Sequence, residues 1–228
     1  MRRGRQRAPR LPRPAPPTAG AVSPGGSGPD RVLVIACGAL AREITALRDL
    51  HGWGHIDLTC LPADLHLTPE RIPDAVAAAV AQHRPAYGDR IFIAYADCGT
   101  GGLLAARCAQ LGVEMIAGPH CYAFFDGLPA FAARAEAEVR AFYLTDFLTR
   151  QFDAFCWRPM GFDRHPELIP VMFGGYDRLI YLAQTDDPAL DARARAAAAR
   201  LGLAYERRLT GYGDLATALG QLSSSASQ

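Results

Sequence analysis

Short apolar runs that alternate with segments of helical period constrain this chain more than any other feature. The runs occupy residues 32–35, 56–59, 91–95, 113–116, 178–183 and 204–209. Between them, Leu40, Ile44 and Leu47 recur at helical spacing after Gly38. Thr68 and Pro69 read as the cap and first residue of a helix that 75–81 extends and His83-Arg84-Pro85 ends. Residues 103–111, 128–141, 143–153, 187–201 and 213–222 complete the helical set. Strands that alternate with helices of about 10–15 residues pair in parallel, because each helix returns the chain to the same end of the sheet. The predicted fold class is therefore α/β: a doubly wound, mostly parallel sheet of about six strands with helices on both faces. Residues 30–222 are expected to form it as a single domain, with the Arg/Pro-rich stretch 1–29 and the Ser-rich end 223–228 disordered.

Four cysteines, Cys37, Cys60, Cys98 and Cys121, fall at or just after the ends of four successive predicted strands. In a parallel sheet that edge is where ligands and catalytic groups collect. Cys37 and Cys98 stand at strand-to-helix turns, where a helix N-terminus favours thiolate, the form that binds metal. The amides of Gly99, Thr100, Gly101 and Gly102 after Cys98 could also cradle an anion. His66 follows Cys60 by six residues and His120 precedes Cys121, so both imidazoles are candidate ligands beside the four thiols. Cys108 and Cys156 read as small core hydrophobes. Tyr212 and Gly213 follow the last strand and are candidates for the wall of a cofactor pocket, with Asp146, His165 and Tyr176 in the same secondary set. On a helix, Asp146 is more commonly a cap or part of a solvated face.

Composition removes several function classes. The chain has no Lys, so neither a pyridoxal phosphate Schiff base nor a P-loop nucleotide site can form. It has no Ser between Ser27 and Ser223, which excludes a serine nucleophile elbow. The tail carries six Arg and no acid; the formal net charge of +1 then leaves residues 30–228 at about −5. That balance argues against a nucleic-acid or membrane surface. No apolar stretch is long enough to span a bilayer. Six cysteines without a signal segment predict reduced thiols in a cytoplasmic protein. Whether 1–29 is translated at all is a separate question, since the first strand begins only at Val32.

Geometry bears on the metal. Neighbouring strands lie ~4.8 Å apart, so thiols fixed on four of them span ~14 Å. Four thiolates around one zinc lie ~3.8 Å from one another. An iron–sulfur cluster fits the wider span better, unless the segments carrying Cys60 and Cys121 curl inward. On this reasoning Cys37 and Cys98, fixed by backbone, are the ligands whose loss abolishes metal retention. The alternatives are a metal-free enzyme, a transferase or hydrolase with Cys98 as nucleophile, and a non-catalytic binding module.

Taken in order, Cys37-Gly38-Ala39-Leu40, Cys60-Leu61-Pro62 with Leu65-His66, Cys98-Gly99-Thr100-Gly101-Gly102, His120-Cys121-Tyr122, Leu144-Thr145-Asp146-Phe147 and Gly211-Tyr212-Gly213 resemble a prokaryotic family catalogued as domain of unknown function 1638. The resemblance covers nearly all of 31–222. Members occur in anaerobes alongside corrinoid-dependent methylamine methyltransferases, which implies a place near one-carbon and cobalamin chemistry, with a small molecule or a corrinoid-linked protein as partner. The family supplies no activity to carry over, and the Arg/Pro tail departs from its pattern.

Overall fold

The structure, a computed structural model, describes residues 31–225. The predicted tail 1–29 and the last three residues of the Ser-rich end lie outside the described residues.

The first four strands, β1 (Val32–Cys37), β2 (Ile56–Leu61), β3 (Ile91–Ala94) and β4 (Glu114–Met115), form one sheet in the order β2-β1-β3-β4. Every pairing is parallel, with Ala36 opposite both Cys60 and Ala94. All six residues of β1 are buried, as expected of a continuous apolar run covered on both faces. Helices α1 (Ala41–His51), α2 (Ile72–Tyr87) and α3 (Leu103–Leu111) send Ile44, Leu47, Val76, Val80 and Leu104 into the same core. Thr68 makes no capping bond; residues Pro69–Arg71 form a tight turn, and α2 starts at Ile72. α2 also runs through Pro85 to Tyr87, since a proline in the last turn removes only one backbone bond.

A single six-stranded sheet does not form. β5 (Ala141–Leu144), β6 (Arg178–Ala183) and β7 (Ala204–Leu209) make a separate parallel sheet in the order β5-β6-β7. β5 lies where helical stretches 128–141 and 143–153 were expected. The Ala/Glu/Arg-rich residues before it favour helix locally, but Phe142, Tyr143 and Leu144 gain a partner strand in β6. A second core gathers Leu144, Phe152, Leu179, Tyr181, Leu190 and Leu201. Around it lie α6 (Asp146–Arg150), a π turn over Asp153–Trp157, α7 (Ile169–Phe173) and α8 (Pro188–Leu201). Asp187 caps α8 by accepting from the amides of Ala189 (2.8 Å) and Leu190 (3.3 Å).

The last helix, α9 (Gly213–Ser225), returns to the first half and buries Leu215 and Leu219 in its core. It continues three residues past the expected end at 222. Its first residue touches α4 (Cys121–Asp126), which is followed by α5 (Leu128–Arg134). Gly213 has φ +47°, and a Cβ there would sit 2.2 Å from the Phe124 carbonyl oxygen and 2.6 Å from that of Phe125. Only glycine fits. Gly213, expected from its place after β7 to border a cofactor, makes a close packing contact with α4. Asp214 locks the same junction by accepting from the Leu128 amide at 2.6 Å. Among the described residues no helix is long and apolar enough to cross a membrane.

Candidate metal centre

In the first sheet the chain runs outward from β1 to β2 and then returns across β1 to β3. Its switch point lies between β1 and β3, where a crevice opens beyond the strand ends. Cys37 closes β1, and Cys98 follows β3 by four residues. The segments beyond β3 and β4 then pair: the Asp97 amide donates to the Gly118 carbonyl and the Cys98 amide to that of Pro119, both at 3.0 Å. This pairing carries Cys121, at the start of α4, up to Cys98. Cys98 adopts φ +50°, the only positive value at a non-glycine residue among those described. A left-handed conformation costs an L-residue about 1–2 kcal/mol and clusters at functional sites.

His66 arrives from the other side, on the short helical segment Ala63–Leu67 that follows β2. Its Nδ1 lies 3.1 Å from the Ala63 carbonyl oxygen. A carbonyl can only accept, so Nδ1 carries a proton in either charge state and Nε2 is the nitrogen free to bind or release one. Nε2 is buried without a hydrogen-bond partner. One donor atom each from His66, Cys98 and Cys121 lie within 4.8 Å of one another.

The three groups share their protons unequally. The Cys121 thiol donating to Cys98, assisted by His66 and the Cys121 amide, outweighs burial and draws the Cys98 thiol down to about 5. Cys121 moves well above the usual thiol range, because it holds the proton shared with Cys98 and is buried. Burial alone would lower His66, but the sulfurs of Cys37 and Cys98 beside it prevail and push it up to about 11. Without a metal the cluster is thus an imidazolium beside a thiolate. A cation of sufficient affinity would displace the protons.

The other expected ligands lie outside this group of three. Cys37 Sγ accepts from the Ala39 amide at 3.4 Å and lies 3.6 Å from His66 Nδ1, so it braces the imidazole from behind. Cys60 is one strand further out, and burial together with the nearby Cys37 pushes its thiol up to about 11. His120 precedes α4 and stacks on Tyr122 at 4.8 Å, and burial lowers its pKa. Cys108 and Cys156 are buried in the first and second cores respectively.

The glycine loop has a different role from the anion cradle expected of it. The Asp97 carboxylate accepts from Thr100 Oγ1 (2.7 Å) and from the amides of Gly101 (3.0 Å) and Gly102 (2.6 Å). Those donors are spent on a negative charge within the loop. The acidity of Cys98 therefore comes from Cys121 and His66, not from the start of α3.

His66, Cys98, Gly99, His120 and Cys121 line a cavity of 360 Å³. Thr145, Phe147, Leu148 and Phe155 of the second half form its opposite wall, which makes it mainly apolar. The helical pattern of 143–153 conceals this wall, because β5 ends at Leu144 and α6 begins only at Asp146. The available signal was Thr145, whose Oγ1 caps α6 by accepting from the Leu148 amide at 3.3 Å. Tyr212 is not among the lining residues; it packs against the first core. His165 is exposed beside Glu167 (3.1 Å), and Tyr176 is also exposed. Asp146, instead of lying on a solvated face, is fully buried.

A model of the family described as "Protein of unknown function (DUF1638)" matches residues 60–219. The chain belongs to this family. The match includes all three clustered donors of the DUF1638 chain and begins after Cys37, the residue that braces His66. No curated protein and no solved structure matches.

Proposed function

We propose that the protein binds one zinc-type divalent ion through His66 Nε2, Cys98 Sγ and Cys121 Sγ, and presents it to a small molecule in the adjoining cavity. The observation that carries this reading is the convergence of one donor atom each from His66, Cys98 and Cys121 within 4.8 Å of one another, and the buried His66 Nε2, which has no hydrogen-bond partner, agrees with it. Zinc at ~2.3 Å from sulfur and ~2.0 Å from nitrogen sets its donors roughly 3.5–3.8 Å apart, so an inward shift of about 1 Å completes the set. His66 and Cys121 ride on segments folded over the sheet edge, which favours one ion held by three donors over the wider cluster expected of four strand-end thiols. Two thiolates and an imidazole suit zinc better than a hard cation, and three protein ligands with an open fourth position is the catalytic pattern.

Held by His66, Cys98 and Cys121, such an ion would supply Lewis acidity and would lower the pKa of a water or thiol bound to it. The chain's own groups divide the remaining work. Cys37 fixes the His66 ring, His120 is the proton acceptor on the cavity wall, and Phe147, Leu148 and Phe155 exclude water. A corrinoid-linked one-carbon setting rests on the family resemblance alone.

Metal analysis of anaerobically purified protein tests the reading. About one zinc per chain is expected in wild type and in Cys156→Ala, with loss in His66→Ala, Cys98→Ala and Cys121→Ala. Cys37→Ala should retain metal with about 10–100-fold weaker affinity, as for residues that orient a ligand. Equal metal content in wild type and Cys98→Ala overturns the site. The Cys98 thiolate beside the His66 imidazolium supports a second, metal-free reading in which Cys98 is the nucleophile. Its signature is selective alkylation of Cys98 by limiting iodoacetamide in protein that contains no metal.

A further inference from the structure

The segment that walls the thiol cavity also lines another one. Phe147, Leu148 and Phe155 face the thiols, whereas Thr149, Arg150, Asp153, Arg158, Arg193 and Arg200 line a second cavity of 320 Å³. Two of its four guanidiniums are neutralised. Arg150 lies 3.3 Å from Asp146 and 3.9 Å from Glu43, and Arg200 pairs with Asp153 at 2.8 Å. The other two have no carboxylate partner among the described residues. Arg158 Nε donates to the Asp153 carbonyl (3.3 Å) and Arg193 Nη2 to the Arg150 carbonyl (2.8 Å). Each is tethered through a backbone oxygen, with further N–H groups unspent.

Two further observations point to a ligand. Thr149 is 2% exposed, lines the cavity, and its hydroxyl has no hydrogen-bond partner. The cavity is also bordered by the π turn, closed by the Arg158 amide on the Asp153 carbonyl at 3.0 Å. Such turns are rare and concentrate at functional sites. Two uncompensated charges remain here in a chain whose residues 30–228 otherwise carry a net negative charge.

We propose that this second cavity binds the dianionic phosphate group of a phosphorylated small molecule. Two tethered guanidinium forks supply the charge and planar donors that phosphate oxygens take, and a dianion matches two uncompensated charges. The cavity volume suits a small metabolite rather than a polymer. The proposal stands independently of the metal reading.

Calorimetric titration with inorganic phosphate at low ionic strength tests it. Wild type should show one saturable site. Arg158→Ala and Arg193→Ala should each weaken binding by about tenfold or more, the worth of a charge-assisted hydrogen bond. The double variant should abolish it, while Arg195→Ala, on the same helix as Arg193 but outside the cavity, leaves it unchanged. Circular dichroism checks folding, and because Arg158 is exposed its single variant keeps the test valid if the double variant unfolds. Absence of saturable binding in wild type overturns the proposal, as does equal binding by folded Arg158→Ala and wild type. Citrate binding more tightly than phosphate would reassign the site to polycarboxylates. Among phosphate esters, comparing a nucleoside monophosphate with a sugar phosphate identifies the remainder of the ligand.

Discussion

Beyond β5 and β6, the Asp146 carboxylate accepts from the Tyr181 hydroxyl (2.6 Å), the Gln184 amide (3.0 Å), Thr185 Oγ1 (2.6 Å) and Arg150 (3.3 Å). Its own amide donates to Gln184 Oε1 at 2.7 Å. Beyond β1 and β3, by contrast, His66 Nε2 is buried with no partner and Cys98 holds a left-handed backbone. Both edges belong to parallel sheets and both bury titratable side chains. At the second edge the Asp146 carboxylate is fully partnered and acts as scaffold. The other edge keeps unsatisfied donors and strain, which persist only where surrounding structure enforces them.

Asp146→Ala should have the largest effect. It leaves Arg150, Tyr181 and Thr185 facing an empty site, and a loss of about 3–5 kcal/mol is expected from urea unfolding. A loss below about 1 kcal/mol, within the range of a surface ion pair, would break the contrast, because the second edge would then not be holding the half together. Gly213→Ala follows, at roughly 1–3 kcal/mol, since it forces a side chain into a left-handed backbone and against the α4 carbonyls. Unchanged stability in that variant would mean that α9 does not dock against the α4 carbonyls. At Cys98 the expected sign reverses: Cys98→Gly should be more stable than Cys98→Ala by about 1 kcal/mol, because glycine relieves the strain. Equal stability of the two would remove strain from the description of the first edge.

The smallest effect separates the halves least. Asp57 in the first half is buried, but Arg31 and Tyr87 hold its carboxyl below the usual range. Glu138 beside the second sheet is also buried and is lowered by Arg208 and Tyr143. A carboxylate with a depressed folded-state pKa contributes stability that is present above its ordinary value and lost as pH falls through the lowered one. For these two groups, the contribution should therefore persist down to the ordinary carboxylate values of 3.8 and 4.5 and vanish below them. The part of acid unfolding owed to these two carboxyls, followed by tryptophan fluorescence, should accordingly appear only below that range, whereas His83 and His120, lowered by burial, weaken the fold as pH falls below the ordinary imidazole value of 6.5. Onset well above it would point to a different titrating group.

The parallel first sheet was legible because β1 to β3 are apolar runs closed by turn residues, and that pattern depends on nothing distant. Cys98 and Cys121 could be placed at one edge for the same reason. The exclusion of Cys60 from the donor group was not legible, since it depends on which segments fold back over the sheet rather than on which strand ends in cysteine. The role of Asp97 was hidden by the glycines after it: the loop advertises free amides, and the neighbouring carboxylate absorbs them. β5 escaped because its four residues become a strand only once β6 lies beside them. With it went the apolar wall of the cavity, which begins at the residue after β5.

The position of α9 bears on how the chain is made. Translation delivers the four cysteine-bearing strand ends before β5 to β7, and Leu215 and Leu219, which complete their core, only after them. Until then Trp53, against which Gly220 of α9 packs, has no cover from this helix, and the carbonyls of Phe124 and Phe125 lack the Gly213 contact. The cysteine-bearing half therefore acquires its finished interior only after the second sheet has been synthesised.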